Sequence, residues 1–552
     1  MINRRHILGA GAAALVMSHA ARAQSLSHST IPAAPFVEVE TASGKVRGGT
    51  ERGAVVFKGI PYAGSVGGAN RFKAPPPVEA WTGVFDATRL GPPSLQTPKS
   101  TYGENEPAYS EDCLVLNVWT PPGFRSGKRP VMVYLHGGGY STGSAGSTTQ
   151  DGARLAAVYD VVVVAPNHRL GLLGFLYLGD MPGGDYAAAN PSMLDIVASL
   201  QWVRDNIAAF GGDAENVTVF GESGGGAKVG TLLGMPAAKG LFHKAGIQSG
   251  AQLKRMPKAV AHETAKRLFK ALDIPDAQAL RDVPAQRLLE LQWAGERGAG
   301  PLAQPTQGYV SAPRSPLMDI SFSESTLAGH FAPVIDGAVL PNDPFDPVAT
   351  PLCADIPLLI GSNKTEASFF NRDNPEIFDM TEDALKARLQ TEFGDRADEI
   401  LRVYRPLRPK ATPSELYLAI ATARTMGHET VILAGLKSQQ PAPVYAYRWD
   451  YDNNVPIAGT SHTLGAGHAT DIGPTFYNWD QQGLHGNGPG VEAASRHLSA
   501  IWTGFARNGV PSAKGLPQWP RYDTRTRATL LVDVTCRLVN DPDSAARQMW
   551  DS

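Results

Sequence analysis

Cysteine is scarce in this chain: three residues in 552, Cys113, Cys353 and Cys536, lie far apart. No C-x-x-C or H-x-x-x-H spacing occurs, so neither metal catalysis nor a dense disulfide framework has a basis in the sequence. No G-x-G-x-x-G follows an apolar strand, which removes the usual signal for a dinucleotide. The expectation is a protein with no metal and no organic cofactor. Charge of one sign is missing as well: 50 Lys and Arg stand against 52 Asp and Glu, a formal net charge of −2, and no basic run interrupts the balance. Such a chain is a poor partner for nucleic acid or an anionic membrane surface. Long apolar runs are absent too. The run at the amino end, Ile7 to Met17, is too short to span a bilayer as a retained anchor, so no stable membrane anchor is expected.

That run belongs to a targeting segment. Asn3-Arg4-Arg5-His6-Ile7-Leu8 is a twin-arginine pattern, and Ala21-Arg22-Ala23 is a small-residue cleavage motif. Residues 1–23 therefore read as a cleaved export signal, of twin-arginine type with a Sec signal as the alternative. Residues 24–36 read as an extension, and the mature chain is expected in a bacterial periplasmic or extracellular space. From residue 37 to 552 no linker divides the chain. With 43% hydrophobic and 18% charged residues, it can bury a sizeable core. The Gly/Pro/Ser-rich stretch from Arg297 to Pro316 reads as a surface loop inside one domain.

Secondary-structure signals alternate. Val131–Leu135, Val161–Ala165 and Val217–Phe220 are apolar strands, and Leu358–Ile360 and Val444–Trp449 continue the set. Between them, Met193, Ile196, Val197, Leu200, Val203 and Ile207 recur at helical spacing until Gly211-Gly212. Alternation with continuously apolar strands predicts an α/β fold whose mainly parallel central sheet is covered by helices on both faces. Helices are expected at Ala259–Leu272, at Thr381–Tyr404 and at Val491–Ala506. The first two lie in segments, roughly 250–345 and 370–440, that are expected to be helical cap insertions on the sheet.

Chemistry is signalled at two glycine runs. Val217-Thr218-Val219-Phe220 leads into Gly221-Glu222-Ser223-Gly224-Gly225, the G-x-S-x-G pattern that presents a serine on a sharp strand-to-helix turn. Val131–Leu135 leads into His136-Gly137-Gly138-Gly139-Tyr140, where bare backbone N–H groups, joined by that of Gly224, can meet a developing oxyanion. A serine hydroxyl needs a base and an orienting acid, which in this pattern follow in the order Ser, Asp/Glu, His. Glu366, on a loop after the Leu358–Ile360 strand, and His468, in Leu464-Gly465-Ala466-Gly467-His468, fill those places. His462 is the runner-up base, while His428, His485 and His497 compete less well. Asp336, Asp343 and Asp355 lack a comparable setting after a buried strand.

Together these residues resemble the type-B carboxylesterase family, which includes cholinesterases and bacterial para-nitrobenzyl esterases. Gly44-Lys45-Val46-Arg47-Gly48, Phe57-Lys58-Gly59-Ile60-Pro61-Tyr62-Ala63, Arg71-Phe72 and Glu111-Asp112-Cys113-Leu114-Val115-Leu116-Asn117-Val118 are similar to its early signatures. Asn167-His168-Arg169, Phe210-Gly211-Gly212-Asp213, Glu366-Ala367-Ser368-Phe369-Phe370 and Trp519-Pro520 continue the likeness. The resemblance implies an α/β-hydrolase fold with a cap and a serine carboxylic-ester hydrolase that works through an acyl-enzyme on small-molecule esters. In it Ser223 is the nucleophile, His468 the base and Glu366 the orienting carboxylate, with Gly138, Gly139 and Gly224 as the oxyanion hole. It says nothing of oligomeric state. A non-catalytic adhesion member of the same fold and an interfacial lipase are the alternatives.

The chain departs from the family pattern at four places. Gly224 stands where alanine is usual, Lys228 where a small or hydroxylated residue is usual, Asp471 where glutamate is common and Ile196 where glutamine is usual. The resemblance also pairs the cysteine of the Glu-Asp-Cys signature with one upstream, but here that position is Ser94. Cys113 is accordingly expected to be a buried free thiol, with a bridge to Cys353 or Cys536 as the alternative. Arg71 and Glu111 match positions that form an ion pair in the family.

Overall fold

Successive residues of a strand face opposite sides of a sheet, and in the central strands of this protein both sides are apolar. In the computed structural model, which describes residues 36–96, 106–185, 189–297, 300–302 and 331–552, Val131, Val133 and Leu135 enter one buried cluster. Met132 and Tyr134 enter another. A strand buried on both faces belongs in the middle of a sheet with helices on either side. Pro191–Asn206 lays Met193, Ile196, Leu200 and Val203 on the first cluster, and Val491–Asn508 lays Leu498, Ile501, Trp502 and Phe505 on the second. The former ends through a short 3₁₀ turn, Ile207–Phe210, closed by Gly211 at φ 79°, where a left-handed residue is needed.

Among the described residues thirteen strands form one sheet. Its middle is parallel: Val162–Pro166, Arg129–Leu135, Gly212–Glu222, Lys244–Gln248, Leu358–Asn363, Val444–Trp449 and Ala528–Val532 lie side by side in that order. Antiparallel strands finish it, Val37–Thr41, Gly44–Glu51, Ala54–Pro61 and Val115–Thr120 at one edge and Arg537–Asn540 at the other. Pairing order places the carboxyl ends of the Arg129, Gly212, Lys244, Leu358 and Val444 strands along one rim. That is the rim where open parallel sheets bind ligands.

Helices occur where the insertions were expected to have them, at Lys258–Leu272, Glu382–Phe393 and Ala397–Leu407. The second insertion builds a small core of its own. Leu385, Leu389, Ile400, Tyr404, Leu416 and Ile420 close on Met549 and Trp550 of the helix Ser544–Asp551. Residues Phe36–Ser552 make one compact unit. Residues 1–23, expected to be an export signal, and most of the stretch from Arg297 to Pro316 lie outside the described residues.

Arg71 and Glu111 meet in a bidentate pair, Nε to Oε1 at 2.5 Å and Nη2 to Oε2 at 2.6 Å. Nη1 donates to the carbonyls of Arg281 and Val283, so one guanidinium ties the amino-terminal region to the first insertion. All three cysteines are free. Burial, with Asp195 nearby, pushes the Cys113 thiol up to about 12, which keeps it an inert thiol.

Arg71→Ala leaves a shielded carboxylate and two carbonyls unpaired, so it should lower stability by about 2–4 kcal/mol, whereas Arg204→Ala, in an exposed pair with Asp205, should change the urea midpoint little. Thiol titration of denatured, unreduced protein should find three reactive groups per chain.

Candidate active site

Ser223 sits between the strand Gly212–Glu222 and the helix Gly224–Leu232 with φ 57° and ψ −127°. This is a strained conformation for a residue with a Cβ. The turn fits because its neighbours have no side chain. A Cβ at Gly221 would stand 2.6 Å from the carbonyl oxygen of Leu135, and one at Gly225 would be driven into the same oxygen. Ser223 N–H donates to the Gln248 carbonyl at 2.8 Å, which pins the elbow to the next strand.

The three residues expected to work with one another are brought together. Ser223 Oγ lies 2.8 Å from His468 Nε2, and His468 Nδ1 lies 2.7 Å from Glu366 Oε2. A carboxylate only accepts, so Nδ1 carries the hydrogen and Nε2 accepts from the Ser223 hydroxyl. The other oxygen of Glu366 accepts from Ser249 Oγ and from Asn363 N–H, both at 2.6 Å. Glu366 was expected on a loop. It instead opens the short helix Glu366–Asn371, an end where the backbone favours negative charge. Phe370 covers the imidazole face at 4.7 Å.

Three further buried groups were not legible as part of the site. Glu222, beside the serine in sequence, places Oε1 3.4 Å from His468 Nε2, and burial pushes its carboxyl up to about 8. Asp471 accepts from Gln248 Nε2 at 2.7 Å and from Asn363 Nδ2 at 3.2 Å, and burial followed by the charge of Glu366 raises it to about 6. Ser249 is the third. For His468, burial pulls the pKa down, but Glu222, the bond and charge of Glu366, and Asp471 outweigh it and raise it to about 9.

Backbone geometry orients the glycine loop. In a trans peptide the C=O and the following N–H point in opposite directions, so a fixed carbonyl aims the next amide. His136 Nδ1 holds the Gly137 carbonyl at 3.1 Å, and Thr142 N–H and Oγ1 hold the Gly138 carbonyl at 3.1 and 3.2 Å. Gly138 and Gly139 have φ 83° and 63°, which glycine adopts freely. Among the described residues no protein group accepts from the N–H of Gly138, Gly139 or Gly224. The loop lies against the elbow, since a Cβ at Gly137 would come within 3.3 Å of Ser223 Cβ.

The competing residues have other partners. His428 faces Asp551 at 3.1 Å, His485 the Trp479 carbonyl, His497 the Asp533 carbonyl, and His462 the ring of Phe378. Asp336 accepts from the N–H groups of Val339 and Leu340, and Asp343 from that of Arg255. Among the described residues no cluster of His, Cys, Asp or Glu is arranged to hold a metal ion, and no helix is long and apolar enough to cross a membrane.

The site's carboxylates favour the imidazolium, so kcat/KM on a soluble ester should rise with pH along a limb displaced above the ordinary imidazole range. Glu222→Gln removes a charge that holds the proton on His468 and should move that limb to lower pH. A limb that stays in place would uncouple the two groups.

A profile described as the Carboxylesterase family matches residues 34–550. The para-nitrobenzyl esterase of Bacillus subtilis (strain 168) is 35% identical over 521 residues, covering 92% of this chain and 97% of that one. The phenmedipham hydrolase of Pseudarthrobacter oxydans is 32% identical over 508 residues, with 89% and 94% covered. Among solved structures, a Geobacillus stearothermophilus carboxylesterase superposes with a TM-score of 0.75 at 35% identity, covering 93% of this chain and 99% of that one.

Proposed function

This chain belongs to the carboxylesterase family, as a serine carboxylic-ester hydrolase of α/β-hydrolase fold, and we propose that Ser223, His468 and Glu366 carry its reaction. The observation that supports this assignment is the unbroken relay from Ser223 Oγ through both nitrogens of His468 to Glu366, at 2.8 and 2.7 Å.

In this reading Ser223 Oγ bonds to the ester carbonyl carbon while His468 Nε2 takes the hydroxyl proton. The carbonyl π electrons move to oxygen, and the oxyanion accepts from the N–H groups of Gly138, Gly139 and Gly224. His468 then gives its proton to the alkoxy oxygen, the C–O bond breaks and the alcohol leaves an acyl-Ser223. Water repeats the sequence, its proton passing to His468 and then to the departing Ser223 Oγ, and the acid is released. Glu366 keeps the imidazole in the correct tautomer and stabilises the imidazolium.

Among substrates we favour soluble small-molecule esters, including para-nitrobenzyl esters, on the strength of the named Bacillus relative. The segments roughly 250–345 and 370–440 are proposed to cap the gorge. Residues 1–23 are proposed to direct export to the periplasm or beyond, with the mature chain beginning near Gln24.

A fluorophosphonate should place one adduct on Ser223, read by peptide mapping, and Ser223→Ala should lose both the adduct and about 10⁴-fold or more in kcat. His468→Ala should match that loss while His462→Ala keeps near-normal turnover; the reverse pattern would reassign the base.

A further inference from the structure

Lys228 is fully buried on the helix that follows the elbow. A buried lysine needs a reason, because desolvating an ammonium is costly unless something accepts from it. Its Nζ donates to the backbone carbonyl of His136 at 3.1 Å and lies 5.9 Å from the ring centre of Tyr140. These two residues bracket the Gly137-Gly138-Gly139 run. The His136 ring is stacked on His168 at 4.5 Å, the two planes within 2°. His168 is held in turn by Ser192 Oγ and the Arg169 carbonyl, both at 3.0 Å. Burial first, then Lys228, drives His136 down to about 3, so its ring is neutral. Its Nδ1–H is the group that donates to Gly137.

We propose that Lys228 is a positioning residue for ester hydrolysis: by holding the His136 carbonyl it fixes the ring that holds the Gly137 carbonyl, and thereby aims the Gly138 N–H at the oxyanion. The same contact places a lysine nitrogen behind the loop that receives negative charge. Burial brings that amine down to about 7, yet either protonation state has a hydrogen to donate to His136. Gly224 belongs to the same arrangement, since a Cβ there would collide with the Gly139 carbonyl; the loop is drawn onto the helix from one side and admitted by a missing side chain on the other. This inference rests on the oxyanion reading of Gly138 and Gly139.

The test uses Lys228→Met, which keeps the volume and removes the donor, and Lys228→Gln, whose amide is too short to reach the His136 carbonyl. Rates are normalised by titrating active sites with a fluorophosphonate. Each variant should lose about tenfold to a hundredfold in kcat, with KM for a small ester held within about twofold. The inhibition constant of an aryl trifluoromethyl ketone, whose adduct on Ser223 carries the oxyanion, should rise by the same factor as kcat falls. His136→Phe, which keeps a stacked ring and loses Nδ1, should reproduce the loss, and the double variant with Lys228→Met should fall no further than either alone. Turnover per titrated site within about twofold of the parent, or an unchanged ketone constant, would overturn the proposal. So would failure of both Lys228 variants to fold, which would assign the residue to the frame of the protein. Failure of the underlying reading is distinct: the parent enzyme itself would then not be inhibited by the ketone.

Discussion

Backbone pressed against backbone is the constraint on which the site depends. The helix Gly224–Leu232 starts so close to the end of the Arg129–Leu135 strand that side chains at Gly221, Gly224 and Gly225 would strike carbonyl oxygens. This approach forces Ser223 into its positive-φ turn, a strain of roughly 1–3 kcal/mol that the surrounding sheet must hold. It is held by the bond from Ser223 N–H to Gln248 and by strands apolar on both faces. The same approach brings the glycine loop, the serine and the first turn of a helix together. The proposed nucleophile and the proposed anion-binding donors are thus placed by one packing event.

Around that point buried charge is segregated. Glu222, Glu366 and Asp471 surround His468, the proposed base, which would become positive on taking the serine proton. Lys228 and two neutral imidazoles lie behind the glycine loop, where the substrate oxygen becomes negative. In the proposed reaction charge separates along this line, with carboxyl groups at one end and the Lys228 amine at the other. Preorganisation of this kind costs nothing at the moment of reaction and acts in a region from which water is excluded. Its cost is borne in folding, through desolvated groups whose pKa values are displaced from their ordinary ranges.

The fold and the relay were readable because both depend on local patterns. Runs such as Val131–Leu135 and Val217–Phe220 have too few polar residues to be anything but doubly covered strands, and glycines flanking Ser223 and preceding Tyr140 have few uses after such strands. Antiparallel edges were not read, because strands such as Gly44–Glu51 have one face half exposed and carry no continuous apolar run. Nor was the helical start at Glu366, where the signal is only six residues long. Glu222, Ser249 and Lys228 escaped for a different reason. Glu222 lies within a legible motif, Lys228 just beyond it and Ser249 after a strand that was not read, and the role of each depends on which strand is its neighbour in the sheet. Strand order is set by long crossovers that local spacing does not encode.

Three of the departures from the family pattern, Gly224, Lys228 and Asp471, lie close to the site once placed in space. Gly224 and Lys228 stand one turn apart on the same helix, and both act on the His136–Gly139 loop, one by absence of a side chain and the other by a hydrogen bond. An alanine at 224 would push the loop outward, against the pull of Lys228 on its first carbonyl. Asp471 follows the same logic on the imidazole side. One carbon shorter than glutamate, it still reaches the side chains of Gln248 and Asn363, whose backbone carbonyl and backbone N–H respectively anchor the elbow and Glu366. Three of the departures thus lie in groups packed around Ser223 and His468, while Ile196 lies in the core beneath the sheet.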